Sequence, residues 1–217
     1  MPGPAGSVAA GPDPPAGVLT MKISSHFRML AAVAAVSLVS LYALPLWSID
    51  LQAPQYPEGL GLVIKASTIQ GKRPNDLTTI NGLNHYIGMK AIDPDNVPEL
   101  RVMPWAIAAL AILGLGAALI GRPFALGSWL GAFAAAGVAG MVQFWRWGYD
   151  YGHNLSPDAI IKVPGMAYQP PLLGTKQMLN ITATSWPAIG GIVAGAAFVA
   201  GALALWLGVR EAHARAR

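Results

Sequence analysis

The sequence predicts an all-α membrane protein, with four transmembrane helices and two long irregular loops that form a cap on one face. Three observations carry this. The chain has 217 residues, 54% hydrophobic and 11% charged, whereas an ordinary soluble domain carries about 25% charged residues. The deficit is concentrated in four apolar runs, spanning about 29–47, 102–120, 124–145 and 188–209. The shortest has 19 residues, close to the ~20 helical residues that cross a hydrocarbon core about 30 Å thick at ~1.5 Å per residue.

The elements follow in order. Residues 1–28 form an N-terminal segment assigned to the cytoplasm. Its first twenty, MPGPAGSVAAGPDPPAGVLT, are rich in Pro, Gly and Ala and are expected to be disordered. Met21 opens MKISSHFRML, a more usual start for a membrane protein, which leaves open whether residues 1–20 belong to the native chain. Span one ends in Leu44-Pro45-Leu46-Trp47, with no small-x-small cleavage site. Its apolar stretch also exceeds the roughly 7–15 residues of a signal-peptide core, so it reads as an uncleaved anchor. Spans two and three are joined only by Gly121-Arg122-Pro123 and form a tight antiparallel hairpin. Span three carries one glutamine, Gln143, and span four no polar side chain. Gly127-x-x-x-Gly131 and Gly191-x-x-x-Gly195 allow spans three and four to pack closely. Residues 210–217, REAHARAR, form a basic tail.

An even number of spans puts both termini on one side and both long loops, 48–101 and 146–187, on the other. Basic residues decide which side. Lys22, Arg28, Arg122, Arg210, Arg215 and Arg217 lie in short segments near span ends, whereas eight are spread along the long loops. Density therefore places the termini in the cytoplasm and the loops in the periplasm of a bacterial inner membrane. Trp47, Trp105, Trp145, Trp147 and Trp186 fall at the loop-side ends, as an interfacial belt. The first loop has β-prone stretches such as Leu60 to Ile64, broken by prolines, and Asn75 or Asp76 is placed to cap a short helix over Leu77 to Leu83. The second loop reads as irregular. Neither is large enough for a domain-sized core, so the two are expected to fold against each other over the bundle mouth.

Composition excludes several chemistries. The chain has no cysteine, so it forms no disulfide, thiolate site, iron–sulfur cluster or Cys-x-x-Cys-His haem attachment. No span contains a histidine, so this chain alone should hold no haem b. Its basic residues are scattered, which argues against nucleic acid as a partner. The bilayer is the first partner expected.

The polar chemistry lies in LNHYIGM (Leu83 to Met89) and FWRWGYDYGHNL (Phe144 to Leu155), the second followed by VPGMAYQPPLLG (Val163 to Gly174). His85 and Met89, four apart, share a face if the segment is helical, although Gly88 weakens that helix. His153 and Met166 come from the other loop. Two imidazoles and two thioethers suit copper, above all Cu(I). Asp150, three residues before His153, is placed to orient its imidazole as an outer partner, or to form an acid/base pair with it. Against these stand the ordinary roles of loop residues, hydrogen bonding for histidine and packing for methionine. No Gly-x-Ser-x-Gly, His-Glu-x-x-His or phosphate-binding loop supports catalysis. Asp50, just past span one, is expected to pair with Arg101 or Arg146, or else to be solvated.

LPLWSIDLQAPQYPEGLGL, NDLTTINGLNHYIGM, FWRWGYDYGHNL and PGMAYQPPLLGTKQMLN together cover Leu44 to Pro187. Through them the chain resembles an uncharacterised bacterial four-span membrane family associated with nitrous-oxide reductase accessory genes, beside copper-delivery and ABC-transport components. The resemblance brings no catalytic residues with it. It implies an accessory protein that assists copper handling or maturation of a periplasmic respiratory copper enzyme, with a protein partner in that assembly. His85, Met89, His153 and Met166 are then the candidate copper ligands, with Asp150 behind them. Two alternatives stay open. One is a metal-free structural or assembly subunit of a membrane respiratory complex. The other is a membrane enzyme using Asp150 and His153.

Overall fold

A computed structural model describes residues 22–215 of the chain. The segment 1–20, expected to be disordered, lies outside the described residues, as do Met21 and the end of the basic tail at 216–217. In chain order the elements are α1 (Ser25–Ser37), prolonged by a 3-10 stretch Leu38–Tyr42, then β1 (Trp47–Ala53), β2 (Tyr56–Ile64), β3 (Ile69–Gly71) and α2 (Asp76–Tyr86). After these come α3 (Glu99–Ile120), α4 (Pro123–His153), β4 (Gly174–Met178), β5 (Ile181–Pro187) and α5 (Ile189–Arg215). The stretch Ser25–Tyr42 and the helices α3, α4 and α5 are long and apolar enough to cross a membrane. Their outward side chains, such as Ile112, Leu119 and Val199, are exposed and apolar, which suits contact with lipid.

The all-α expectation is corrected by a five-stranded antiparallel sheet in the order β3-β2-β1-β5-β4. The buried core of the head comes from the first loop together with Tyr151 of α4, while the two loops pool their strands. The first loop supplies three, the second supplies two, and β1 joins them by pairing with β5 from Trp47↔Pro187 to Gln52↔Thr182. The sequence of β1 has the required period of two. Trp47, Ile49 and Leu51 enter the core cluster of this head, while Ser48, Asp50 and Gln52 alternate with them. The strand begins inside the run assigned to span one. Pro45 has no N–H to continue a helix and disfavours helical geometry in the residue before it. The helical part ends at Tyr42, and Leu46 N donates to Ile64 O at 2.8 Å instead.

A second difference concerns α4. It continues past the apolar run, through RWGYDYGH, to His153. The polar appearance of that stretch hides a helical stripe. Phe144, Trp147 and Tyr151 recur at i, i+3 and i+7 and pack on the head core.

The molecule thus has two cores. In the bundle, Ala31 and Ala35 of α1 and Leu38 of its 3-10 extension meet Ile107 and Ala117 of α3, Leu126, Trp129 and Leu130 of α4, and Ala197 and Ala204 of α5. Trp129 is 2% exposed and its Nε1 donates to Leu110 O at 2.9 Å. Gly114 and Gly201 make room for its ring: a Cβ on either would lie 2.5 or 2.6 Å from it. The two predicted Gly-x-x-x-Gly pairs do less. Gly131 and Gly195 have open space where a Cβ would stand, and Gly127 would meet only Leu205 at 3.9 Å. Gly190 and Gly191 do make a close contact, against the backbone of Pro45 and Leu46. At the far end from the sheet, Arg28 donates to Ala118 O and Leu119 O at 2.8 and 2.6 Å. It covers carbonyls left unpaired where α3 stops.

Candidate functional site in the head

The two segments singled out for their chemistry meet in the head, at the end of α2 and the end of α4. Asp76 anchors α2. It is 5% exposed and accepts from Gly61 N at 3.0 Å and from Arg73 N at 3.2 Å, tying the helix to β2. The predicted capping by Asn75 does not occur through its side chain, and Asn75 instead adopts φ 72°. At the other end α2 closes in a Schellman motif: Met89 N donates to Asn84 O at 2.8 Å and Gly88 N to His85 O at 3.3 Å. Gly88, at φ 79°, provides the left-handed residue this turn needs.

That turn separates the proposed ligands His85 and Met89. The helix stops at Tyr86, so the i,i+4 relation is lost. His85 is exposed on the helix. Met89 turns under it and joins the head core with Leu83 and Tyr151. Such apolar contact across a Schellman turn commonly accompanies it.

The second segment is bound to the first by backbone. Ser156 N donates to Gly88 O and Ile161 N to Tyr86 O, both at 2.8 Å. Lys90 pairs with Asp150 at 2.7 Å, and Tyr151 Oη donates to Ala91 O at 3.3 Å. The other Asp150 oxygen accepts from Asn154. Asp150 therefore links the two segments through an exposed pair and makes no hydrogen bond or ion pair with His153. His153, the last residue of α4, stacks on Tyr149 with centroids 4.0 Å apart, and its Nδ1 lies 3.0 Å from Tyr149 O. A carbonyl only accepts, so Nδ1 is the donor in this contact and Nε2 is the ring nitrogen left for another partner. Met166 is half-buried, in a turn closed by Met166 N donating to Val163 O at 3.1 Å. Among the described residues no three His, Cys, Asp or Glu side chains gather into a group.

Beside Asp150 lies a cleft of about 480 Å3, between the entry to α3 and the exit of α4. Lys90, Glu99, Gln143, Arg146 and Asp150 line it. Gln143 donates to Glu99 at 2.8 Å and accepts from Arg146 at 3.3 Å. From the sequence alone Gln143 is only a polar interruption of span three. The usable signal was its position one helical turn before Arg146, at the end of an apolar run. Asp50 pairs with neither arginine expected; it binds Lys72 at 2.6 and 2.7 Å across β2. Arg101 donates to Asp95 O at 2.8 Å. Of the five tryptophans assigned to a belt, Trp105, Trp145 and Trp186 are exposed, while Trp47 and Trp147 turn into the head core.

The arrangement offers one exposed imidazole nitrogen on a stiff helix end, a second exposed histidine on α2, and a cleft of mixed charge. In comparison with known proteins, the chain matches no family model and no curated protein.

Proposed function

We propose that this is an accessory protein of the bacterial inner membrane, with cytoplasmic termini and a periplasmic head, that assists copper handling or maturation of a periplasmic respiratory copper enzyme such as nitrous-oxide reductase. The observation that supports it is the state of His153. A metal-ligating imidazole nearly always gives its other N–H to a carbonyl or carboxylate, which fixes the ring and raises its basicity. His153 has that partner in Tyr149 O, at 3.0 Å. Exposed His85 and half-buried Met166 supply further nitrogen and thioether donors, the donor set that favours Cu(I). Asp150 acts at a remove, by holding the two segments together. The bundle keeps the head at the membrane surface, where a periplasmic partner is met.

The test is Cu(I) titration of detergent-purified protein against a chromophoric chelator. Wild type takes up about one Cu(I) per chain, and His153→Ala or His85→Ala weakens uptake about 10-fold or more, the scale of losing a tuned metal partner. Equal uptake by wild type and both variants removes the reading. A second reading, a metal-free assembly subunit of a respiratory membrane complex, is favoured by Met89, whose side chain is spent on the head core. On that reading no copper is bound, and the histidine changes reduce co-purification of the partner instead.

A further inference from the structure

We propose that the charged cleft between the entry to α3 and the exit of α4 binds the headgroup of a phospholipid that carries a primary ammonium, of the phosphatidylethanolamine class. Six polar side chains line the cleft: Lys90, Asn96, Glu99, Gln143, Arg146 and Asp150. Three of them are committed within the protein. Lys90 and Asp150 pair with each other, and Asn96 donates to Asp93 at 2.7 Å. Glu99 and Arg146 are different. Among the described residues neither makes an ion pair. Each has one side-chain hydrogen bond, to the neutral amide of Gln143, which donates to Glu99 and accepts from Arg146. A single carboxamide therefore holds a carboxylate and a guanidinium apart in the wall of one cleft.

That separation leaves both ends with capacity. A guanidinium has five N–H donors and a carboxylate about four acceptor positions, and here one of each is used. Arg146 is exposed and Glu99 half-buried. The complementary ligand has an anion for Arg146 and an N–H cation for Glu99, joined by a short linker. A guanidinium fork matches a phosphate, and phosphoethanolamine carries its ammonium two carbons from the phosphate. The cleft, at about 480 Å3, lies within the ~300–1,000 Å3 of small-molecule sites. Glu99 also stands in the first turn of α3, where the helix dipole favours an acid. That accounts for Glu99 alone and leaves Arg146 beside the same cleft unexplained.

The surroundings point to a lipid as the source of the headgroup. The cleft lies at the ends of two helices long and apolar enough to cross a membrane. Trp105 and Trp145, both exposed, flank those ends, as aromatic rings do at a membrane interface. Apolar side chains lead away from each charge. Val138, Val142 and Arg146 recur every four residues along one face of α4, and Val102 stands three residues after Glu99 on α3. All three valines are exposed, and they offer the acyl chains a surface directly below the headgroup. The site uses neither His85 nor His153, and it stands whether or not copper binds.

Native mass spectrometry of the full chain in detergent tests the proposal, with phosphatidylethanolamine, phosphatidylglycerol and phosphatidylcholine of matched chains as probes. The glycerol headgroup has no cation, and the choline cation has no N–H to donate. Phosphatidylethanolamine should therefore be retained at about one per chain, and about 10-fold more tightly than the other two, the scale of one charge-assisted hydrogen bond. Glu99→Gln still accepts from Gln143 but should abolish the preference, whereas Arg146→Gln should weaken all three lipids alike. Thermal melting checks that each variant is folded. Equal retention of the three lipids by wild type overturns the proposal, as does an unchanged preference in a folded Glu99→Gln variant. Saturable binding of soluble O-phosphoethanolamine with no retained lipid also overturns it, because the occupant would then be a soluble zwitterion.

Discussion

The bundle and the head are held together by different means: the bundle's four helices are long and apolar enough to cross a membrane, whereas the head carries the polar loops. In the bundle the buried residues are mostly small. Ala31, Ala35, Ala117, Ala118, Ala197 and Ala204 let helices approach, and Trp129 fills the space that remains. Lipid tails are as apolar as leucine, so burial from lipid gives little drive to associate, and close packing carries the contact. The head buries larger aliphatic groups, and it also holds the three buried polar residues among the described ones, Asp76, Asn84 and Ser185. Each has a partner. Ser185, for example, accepts from Trp47 Nε1 at 2.8 Å and donates to Leu172 O at 3.2 Å. The head therefore depends on specific hydrogen bonds where the bundle depends on shape.

The sharpest way to break this comparison is Trp129→Ala. It empties the centre of the bundle and should cost about 3–5 kcal/mol, as for other buried aromatic truncations. Thermal unfolding in detergent measures the loss. Hydrogen exchange should show opening of α3 to α5 before the sheet. Equal loss of protection in β1 and β5 would mean that the two regions form one cooperative unit.

Asp76→Ala attacks the head instead. It strands the buried Gly61 amide, at about 1–3 kcal/mol for a buried donor left unpaired, and removes the half-exposed contact to the Arg73 amide at a smaller further cost. Exchange should rise in α2 and β2 while the bundle stays protected. Slightly smaller, at about 1–3 kcal/mol of overpacking, is Gly152→Ala. Its methyl group displaces Gln169 and loosens Tyr168. Gly131→Ala is the matched control in the same helix. It meets open space, so melting should shift within the ±0.5 kcal/mol typical of neutral surface changes, or rise slightly through helix propensity. If the two glycine changes have equal effects, the contact of Gly152 with the 168–169 backbone is unimportant. The least effect is expected for Lys90→Ala. Its pair with Asp150 is exposed on both sides, 52% and 42%, and such pairs contribute about 0–1 kcal/mol. A larger loss would show that this ion pair orders the cleft.

By itself the sequence determined where the long apolar helices are, because a run of about 20 apolar residues has few other uses. It also located the segments that meet in the head, since Leu83 to Met89 and Phe144 to Leu155 stand out as polar and aromatic against spans of Ala, Gly and Leu. The short helix before His85 was visible from Asn75 and Asp76, though it extends further than expected, over Asp76–Tyr86. Only the tertiary structure decided that the loops make a sheet. β1 and β5 lie at opposite ends of the chain, and a strand of seven residues carries no sign of its partner. The first loop, expected to lack a core, supplies nearly all of the head's buried residues, closed by Tyr151 of α4. The same holds for the candidate site. His85 and Met89 look like neighbours on a helix. The Schellman turn at Gly88 sends one to solvent and the other into the core. Trp147 of α4 and Tyr168 of the segment before β4 both border an apolar cavity beneath α2. Their meeting follows from how the head closes over α4, a long-range contact that local residue chemistry does not specify.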